Sequence, residues 1–509
     1  MDENHKKIPR LIYNSDGDST TLLAFDSPIT IEQACRDIEE LVDTKVDVFT
    51  NSMGRGDDTF SHPTEFGDIY GENVIEWPEG EDVQWVRTMA DNTRFLLDNG
   101  IDIIELLANR AHKKGLQFWP ALRMNDIHED DGRRFAAFRS TFKKNHPELL
   151  LGSPYPTRHG YGYPQDNFTW AFDFAKEEVR ERKLGLILET CEKYNVDGFE
   201  LDFQRGHWYF KDGKEQEGIP LMTDFMRKIR AGTQKIAERK GRPFILMARI
   251  PHTLRLCLSI GLDVESWIKE ELADLFVPMH GAYLNMGADI KGFVELTQGT
   301  TCRIGGGLEH WAKGYRYAGP DMLYAAALSY WRQGASSMYL FNYDCHRQQG
   351  SSLPYTPEEI KVLKEIHDPD ILVRKDKRYF VALDMQSLTP DEGGLMPLPA
   401  HITSNERKNF TIWVGDDVKN AQQEGCLEEM WLRFTLAKGI SDKQQIVVEL
   451  NGKKLTQGHR IEAPACTTWS FPVKKVNQGE NETSISVERL EQTEGCRVEG
   501  IELVITYRG

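Results

Sequence analysis

Asp197-Gly198-Phe199-Glu200-Leu201-Asp202-Phe203 is the stretch on which the reading of the fold turns. Successive side chains of a strand point to opposite faces, so Phe199, Leu201 and Phe203 share one face and Glu200 and Asp202 the other. An apolar face suits packing against helices, and the two carboxyls then point into an interior. Seven further runs have strand character: 11–15 (LIYNS), 46–52 (VDVFTNS), 116–122 (LQFWPAL), 244–250 (FILMARI), 275–280 (LFVPMH), 302–308 (CRIGGGL) and 337–343 (SMYLFNY). Helical patterns at 31–42, 83–97, 178–194, 221–240 and 321–334 lie between them. Eight strands alternating with helices make an α/β chain of the (β/α)8 type, a TIM barrel. An open doubly wound sheet would place a glycine-rich phosphate turn after its first strand. This chain has Asn14, Ser15, Asp16, Gly17 and Asp18 there, which is no dinucleotide fingerprint.

Outside the barrel pattern the composition changes. Runs at 378–383, 410–414, 431–436, 445–450, 483–487 and 501–507 read as short strands, and Asn451-Gly452 is a hairpin turn signal. The expected organisation is a catalytic barrel over 1–369 followed by an all-β sandwich over 370–509. The aromatics of the second part, Trp413, Trp431 and Trp469, fall in strand-like runs and read as core. Long insertions at 53–82 and 145–174 are rich in Gly, Pro and aromatic residues, and loops of that length inside a compact domain tend to be functional.

The 509 residues carry 62 basic and 79 acidic side chains, a net charge of −17, which argues against non-specific nucleic-acid binding. No apolar run reaches the roughly 20 residues of a membrane span. The opening MDENHKKIPR has no apolar core, so no signal peptide is expected in this chain. The localisation reading is cytoplasmic, or periplasmic or secreted if an export signal was removed. The 8 cysteines form no CxxC or zinc-finger spacing and read as buried free thiols, with one bridge open among Cys426, Cys466 and Cys496.

Chemistry on a barrel sits at the C-terminal ends of its strands. Two carboxyls confined together are costly unless protonated, paired or metal-bound. Glu200 and Asp202 are therefore candidate catalytic groups, with an ion pair to Arg205 or Arg249 as the structural alternative. Other strand ends supply Asn51, Arg123, Asn125, Asp126, Arg249, His252, His280, Glu309, His310, Asn342 and Asp344. Trp208, Tyr209, Trp311, Tyr315 and Tyr317 follow the fourth and seventh strands, where aromatic faces beside carboxylates suit sugar rings. Gly305, Gly306 and Gly307 weaken a strand interior and could let a ligand approach the backbone.

His112-Lys113-Lys114-Gly115-Leu116, His146-Pro147-Glu148, Val179-Arg180 and Tyr194-Asn195-Val196-Asp197-Gly198-Phe199-Glu200-Leu201-Asp202 resemble, in this order, motifs of the glycoside-hydrolase-10-like barrel proteins. The resemblance covers roughly residues 85–350. It implies a TIM barrel acting on glycans, and the second aspartate of the family's fourth-strand motif falls on Asp202. The chain departs at Glu200, where the family often has His or Gln, and at Phe203, where a second Asp is common.

The resulting expectation is a glycoside hydrolase with Asp202, Glu200 and Glu309 as catalytic carboxyls and no cofactor or metal. Arg123, Asn125, Arg205, Trp208, Arg249, His252, His280, His310, Trp311, Asn342 and Asp344 would bind a carbohydrate substrate. The arginines near the mouth suggest an anionic glycan bearing uronate or sulfate. One alternative is a metal-dependent sugar isomerase or lyase built on Glu200, Asp202, His252, His280 and Glu309. The other is a non-catalytic glycan-binding barrel. Oligomeric state is not legible in the sequence.

Overall fold

The computed structural model describes residues 7–56, 58–77, 79–126, 128, 138–152, 169–206, 208–280, 283–312, 317–343, 355–383, 397–403, 406–437, 445–488 and 496–508. Eight parallel strands close a barrel: β1 (Leu11–Ser15), β2 (Val48–Ser52), β3 (Gln117–Arg123), β4 (Gly198–Asp202), β5 (Ile245–Pro251), β6 (Leu275–Met279), β7 (Arg303–Glu309) and β8 (Ser337–Phe341). Each pairs with its sequence neighbour, and β8 closes on β1. The expected strands all form, within two residues at each end.

Helices α1 (Glu81–Asp98), α2 (Ile103–Lys113), α3 (Glu177–Lys193), α4 (Glu215–Lys240), α5 (Pro320–Arg332) and α6 (Pro357–Glu365) are the longer ones of the alternation. Local chemistry sets their limits. The Asp102 carboxylate accepts from the backbone N–H of Ile104 and caps α2, and α4 ends at Gly241, whose φ of 63° suits a residue without Cβ. The pattern at 31–42 breaks into two short helices, Ile31–Ala34 and Arg36–Glu40. The insertion at 53–82 carries a small sheet, Gly54–Arg55, Thr59–Phe60 and Asp68–Ile69. Residues 153–168 of the other insertion lie outside the described residues.

A buried cluster of Ile12, Val48, Trp119, Ile245, Met247, Leu275, Val277, Met279, Tyr339 and Phe341 packs along the barrel strands. A Cβ on Gly198 would stand 2.7 Å from Trp119 Nε1, so the glycine of the Asp197-Gly198 step makes room for the indole. A Cβ on Gly307 would stand 2.4 Å from that of Met279, and one on Gly305 3.1 Å from Val277 Cγ2. The expectation that these glycines admit a ligand is corrected at Gly305 and Gly307, where side chains of β6 already occupy the space.

The chain divides into two compact units, one of Met1–Gly281, Asp289–Gly307 and Ala335–Lys364, the other of Ala282–Ala288, Leu308–Gly334 and Glu365–Gly509. The second unit holds a sandwich of antiparallel sheets. Its strands are β9 (Lys377–Phe380), β10 (Ala400–Ile402), β11 (Arg407–Val414), β12 (Leu427–Ala437), β13 (Gln445–Leu450), β14 (Lys453–Lys454), β15 (His459–Glu462), β16 (Cys466–Pro472), β17 (Gly479–Glu488) and β18 (Cys496–Tyr507). One sheet runs β9-β18-β12-β16-β15 with β10 added to β18, and the other β11-β17-β13-β14. Leu432, Phe434, Leu503 and Ile505 of the first and Phe410, Ile412, Val448 and Ile485 of the second are buried. The β13–β14 hairpin turns at Asn451 (φ 50°) and Gly452 (φ 72°), the left-handed pair such a tight turn demands. Trp413, Trp431 and Trp469 are half-buried rather than core. Cys35, Cys191, Cys257, Cys302, Cys426, Cys466 and Cys496 are free thiols.

Candidate active site

Parallel register sets Arg123, Asp202 and Arg249 side by side on β3, β4 and β5. Asp202 pairs with one of these neighbours. Arg249 Nη1 donates to both carboxylate oxygens, at 2.7 and 2.8 Å, and the backbone N–H of Gln204 donates to Oδ1 at 2.8 Å. Arg249 is fully enclosed, with its guanidinium carbon 3.5 Å above the Phe341 ring.

Two residues deeper, Glu200 lies between Ala121 and Met247 in register, neither of which offers a charge. Its donors come from other strands. Thr50 Oγ1 donates at 2.5 Å, Tyr339 Oη at 2.6 Å and Asn14 Nδ2 at 3.2 Å. Burial, reinforced by the Asp202 charge, pushes the Glu200 carboxyl up to about 7 despite these donors. Thr50 and Tyr339 were not among the residues read from the sequence. The signal available was their place on inward-facing registers, Asn14 opposite Thr50 and Ile12 opposite Tyr339.

Above this pair lies a buried charge network. Asp16 accepts from Arg55, Arg123 and Ser19, and Asp18 accepts from Arg55 Nε at 2.8 Å. Burial opposes ionisation of Asp16, but Arg55 and Arg123 hold it well below the usual carboxylate range. Asp126 bonds His128 Nδ1, while Arg205 Nη2 donates to His128 Nε2 at 2.9 Å. Burial lowers His128 to about 4, against the pull of Asp126. Burial alone lowers His252 to about 4; its Nε2 is buried without a partner among the described residues, and its ring centroid is 5.8 Å from that of His280.

The other candidate residues separate by role. Asn125 spends its amide on the loops, donating to the carbonyls of Phe172 and Trp208 and accepting from the N–H of Phe172 at 2.9 Å. Trp208 and Tyr209 are buried, and Tyr209 Oη donates to the Phe203 carbonyl at 2.8 Å, so neither is an open platform. Asn342 adopts φ 45° and donates Nδ2 to Asp16 at 3.4 Å. Asp344 and Tyr315 lie outside the described residues. In the second unit, Glu309 Oε1 accepts from the N–H groups of His310 (2.9 Å) and Trp311 (3.4 Å). Tyr317 packs on both rings, at 5.3 Å from His310 and 5.5 Å from Trp311. Among the described residues, no group of three or more His, Cys, Asp or Glu is arranged to hold a metal ion, and no helix is long and apolar enough to cross a membrane.

No family model and no curated protein matches the chain. Solved structures with partial likeness include the endo-β-1,4-mannanase from Thermotoga petrophila, at 9% identity over 98% of each chain with a TM-score of 0.45. The PgaB (BpsB) glycoside hydrolase domain from Bordetella bronchiseptica shares 11% identity over 71% of this chain and 99% of its own, at a TM-score of 0.44. The α-L-fucosidase isoenzyme 2 from Paenibacillus thiaminolyticus shares 12% over 71% of this chain, at 0.43, and the present chain spans 49% of it. The strand order itself defines the class: a (β/α)8 barrel protein with a β-sandwich.

Proposed function

We propose that the chain is a glycoside hydrolase that cleaves a poly- or oligosaccharide with carboxyl groups at the C-terminal mouth of its barrel. The observation that carries the reading is the contrast between Glu200 and Asp202. Two buried carboxyls on one strand have environments pushed apart, one protonated until about pH 7 and the other ion-paired with Arg249. Glycosidic cleavage needs one carboxyl to protonate the leaving oxygen and a second to act as nucleophile or base. Asp202, nearer the mouth, is the proposed substrate-contacting group. Glu200, one inward step deeper, holds a proton beside it and acts through it. Glu309 is proposed as the second reacting carboxyl on the ground of its place at the C-terminal end of β7.

Part of the case for an anionic substrate weakens on the geometry. Arg123 bonds Asp16, Arg249 bonds Asp202 and Arg205 donates to His128 Nε2, so each of the three guanidiniums near the mouth already has a protein partner. A matched pair of neutral and sulfated oligosaccharides tests the uronate or sulfate preference: faster cleavage of the sulfated form that Arg205→Gln abolishes supports it, and equal rates reject it. A panel of glycans assayed for new reducing ends tests the hydrolase reading itself. Turnover unaffected by exhaustive chelation is expected, whereas loss with EDTA and rescue by Mn²⁺ or Zn²⁺ would favour a metal-dependent isomerase or lyase.

A further inference from the structure

The N-terminal ends of the barrel strands, on the face opposite the candidate active site, border an open cavity of about 980 Å³. It lies within the first unit, against the C-terminal half of α4. That volume is in the range of small-molecule sites. This end of a TIM barrel ordinarily serves stability alone, and its charges should then be matched.

They are not. Arg230 is neutralised by Asp274 through two 2.9 Å bonds, and Asp197 is occupied by His112 Nε2 at 2.7 Å and by the Phe118 N–H at 2.9 Å. Three cations remain under-compensated. Arg242 donates Nη1 to Asn195 Oδ1 and comes no nearer than 3.9 Å to Asp197, and its Nη2 has no hydrogen-bond partner among the described residues. Arg303 is exposed and, among the described residues, donates Nη1 only to the carbonyls of Thr300, Thr301 and Cys302. Lys7 is exposed and makes no ion pair among the described residues. Glu238 is the one carboxylate on the cavity wall, among the described residues, without a cationic partner.

We infer that this cavity is a second ligand site, separate from the barrel mouth, for a small molecule bearing a tetrahedral oxyanion, a sulfate or phosphate ester. Guanidinium forks match such oxygens in pairs, and an ammonium adds a point charge. The site needs no assumption about the reaction at the other end.

Titration calorimetry of the full chain with inorganic sulfate, inorganic phosphate, a sulfated disaccharide and its neutral parent tests the inference. At least tenfold tighter binding of one or more anionic probes than of the neutral parent is expected, weakening as salt is raised. The phosphate and sulfate arms distinguish the two oxyanions. Arg303→Gln and Lys7→Gln, both exposed and both expected to leave the melting temperature unchanged, should each weaken that binding severalfold, and the pair together at least tenfold. Asp202→Asn should leave it intact. Absence of binding by every anionic probe, equal binding of the neutral parent, full affinity in the double variant, or loss of affinity in Asp202→Asn would each overturn the assignment.

Discussion

Arg249 holds both carboxylate oxygens of Asp202 from a single nitrogen, on neighbouring parallel strands whose register sets the two residues side by side. Both side chains are buried, so each is the other's compensation. Removing one partner of such a pair leaves a bare charge in a low-dielectric interior, which costs about 3–5 kcal/mol. Asp202→Asn and Arg249→Met should each lower unfolding free energy by about that amount, and the double variant should recover most of it. Denaturant titrations of the four proteins check the cycle; additive losses would mean the two residues do not act as a pair.

Glu200 gives a pH signature of opposite sign to an ordinary surface carboxylate. Its folded value, about 7, lies above the roughly 4.3 of an unfolded chain, so the native state binds the extra proton. Its contribution to stability is complete below about pH 4 and is lost as pH rises through 7. Relative to Glu200→Gln, the wild type should therefore lose on the order of 3 kcal/mol between pH 4 and pH 8. A stability gap that does not change with pH would place Glu200 in a solvated environment instead.

The buried histidines act at the acid end. His62, His128 and His252 are each lowered by burial to about 4 from an ordinary value near 6.5. Each stabilises the fold at neutral pH as the uncharged ring, and that contribution is lost as pH falls from 6.5 through 4. His62 packs against Phe60 and Tyr194. His62→Phe should match the wild type at pH 7 and exceed its unfolding free energy by about 3 kcal/mol at pH 4. Parallel curves for the two proteins would contradict the burial argument.

The strands were legible because period-2 alternation and β-branched or aromatic runs survive in local sequence, and LIYNS and SMYLF stand where the alternation puts them. The motifs that carry the glycoside-hydrolase-10-like resemblance proved to be scaffold in part. His112 and Asp197 bond each other beneath the barrel, Tyr194 Oη donates to Asp102 at 2.6 Å, and Arg180 donates to the Phe174 carbonyl. What stayed hidden was partner choice. Local sequence placed Arg123, Arg205 and Arg249 near Asp202, but only the closed barrel decides that Arg249 takes Asp202 while Arg123 turns to Asp16. Tyr339 and Thr50 reach Glu200 from 139 and 150 residues away, a distance no local pattern carries.

Gly307 is a steric test of the barrel interior. Its missing Cβ leaves room for Met279, whose own Cβ would be 2.4 Å away. Gly307→Ala should cost about 1–3 kcal/mol through overpacking. Met279→Ala in the same chain should relieve part of that cost. If Gly307→Ala melts with the wild type, the space is open after all, and ligand access at this strand regains its footing.

The central claim is that Asp202 carries hydrolysis of a glycosidic bond. Its most direct test is digestion of the glycan panel in heavy-oxygen water, with products read by mass spectrometry, for wild type and Asp202→Asn in parallel. Wild-type products should carry one heavy oxygen at the new reducing end, and the rate should be lower by several orders of magnitude in Asp202→Asn at a temperature where that variant is folded. Unlabelled or unsaturated products, or near-normal labelled turnover by Asp202→Asn, would contradict the claim.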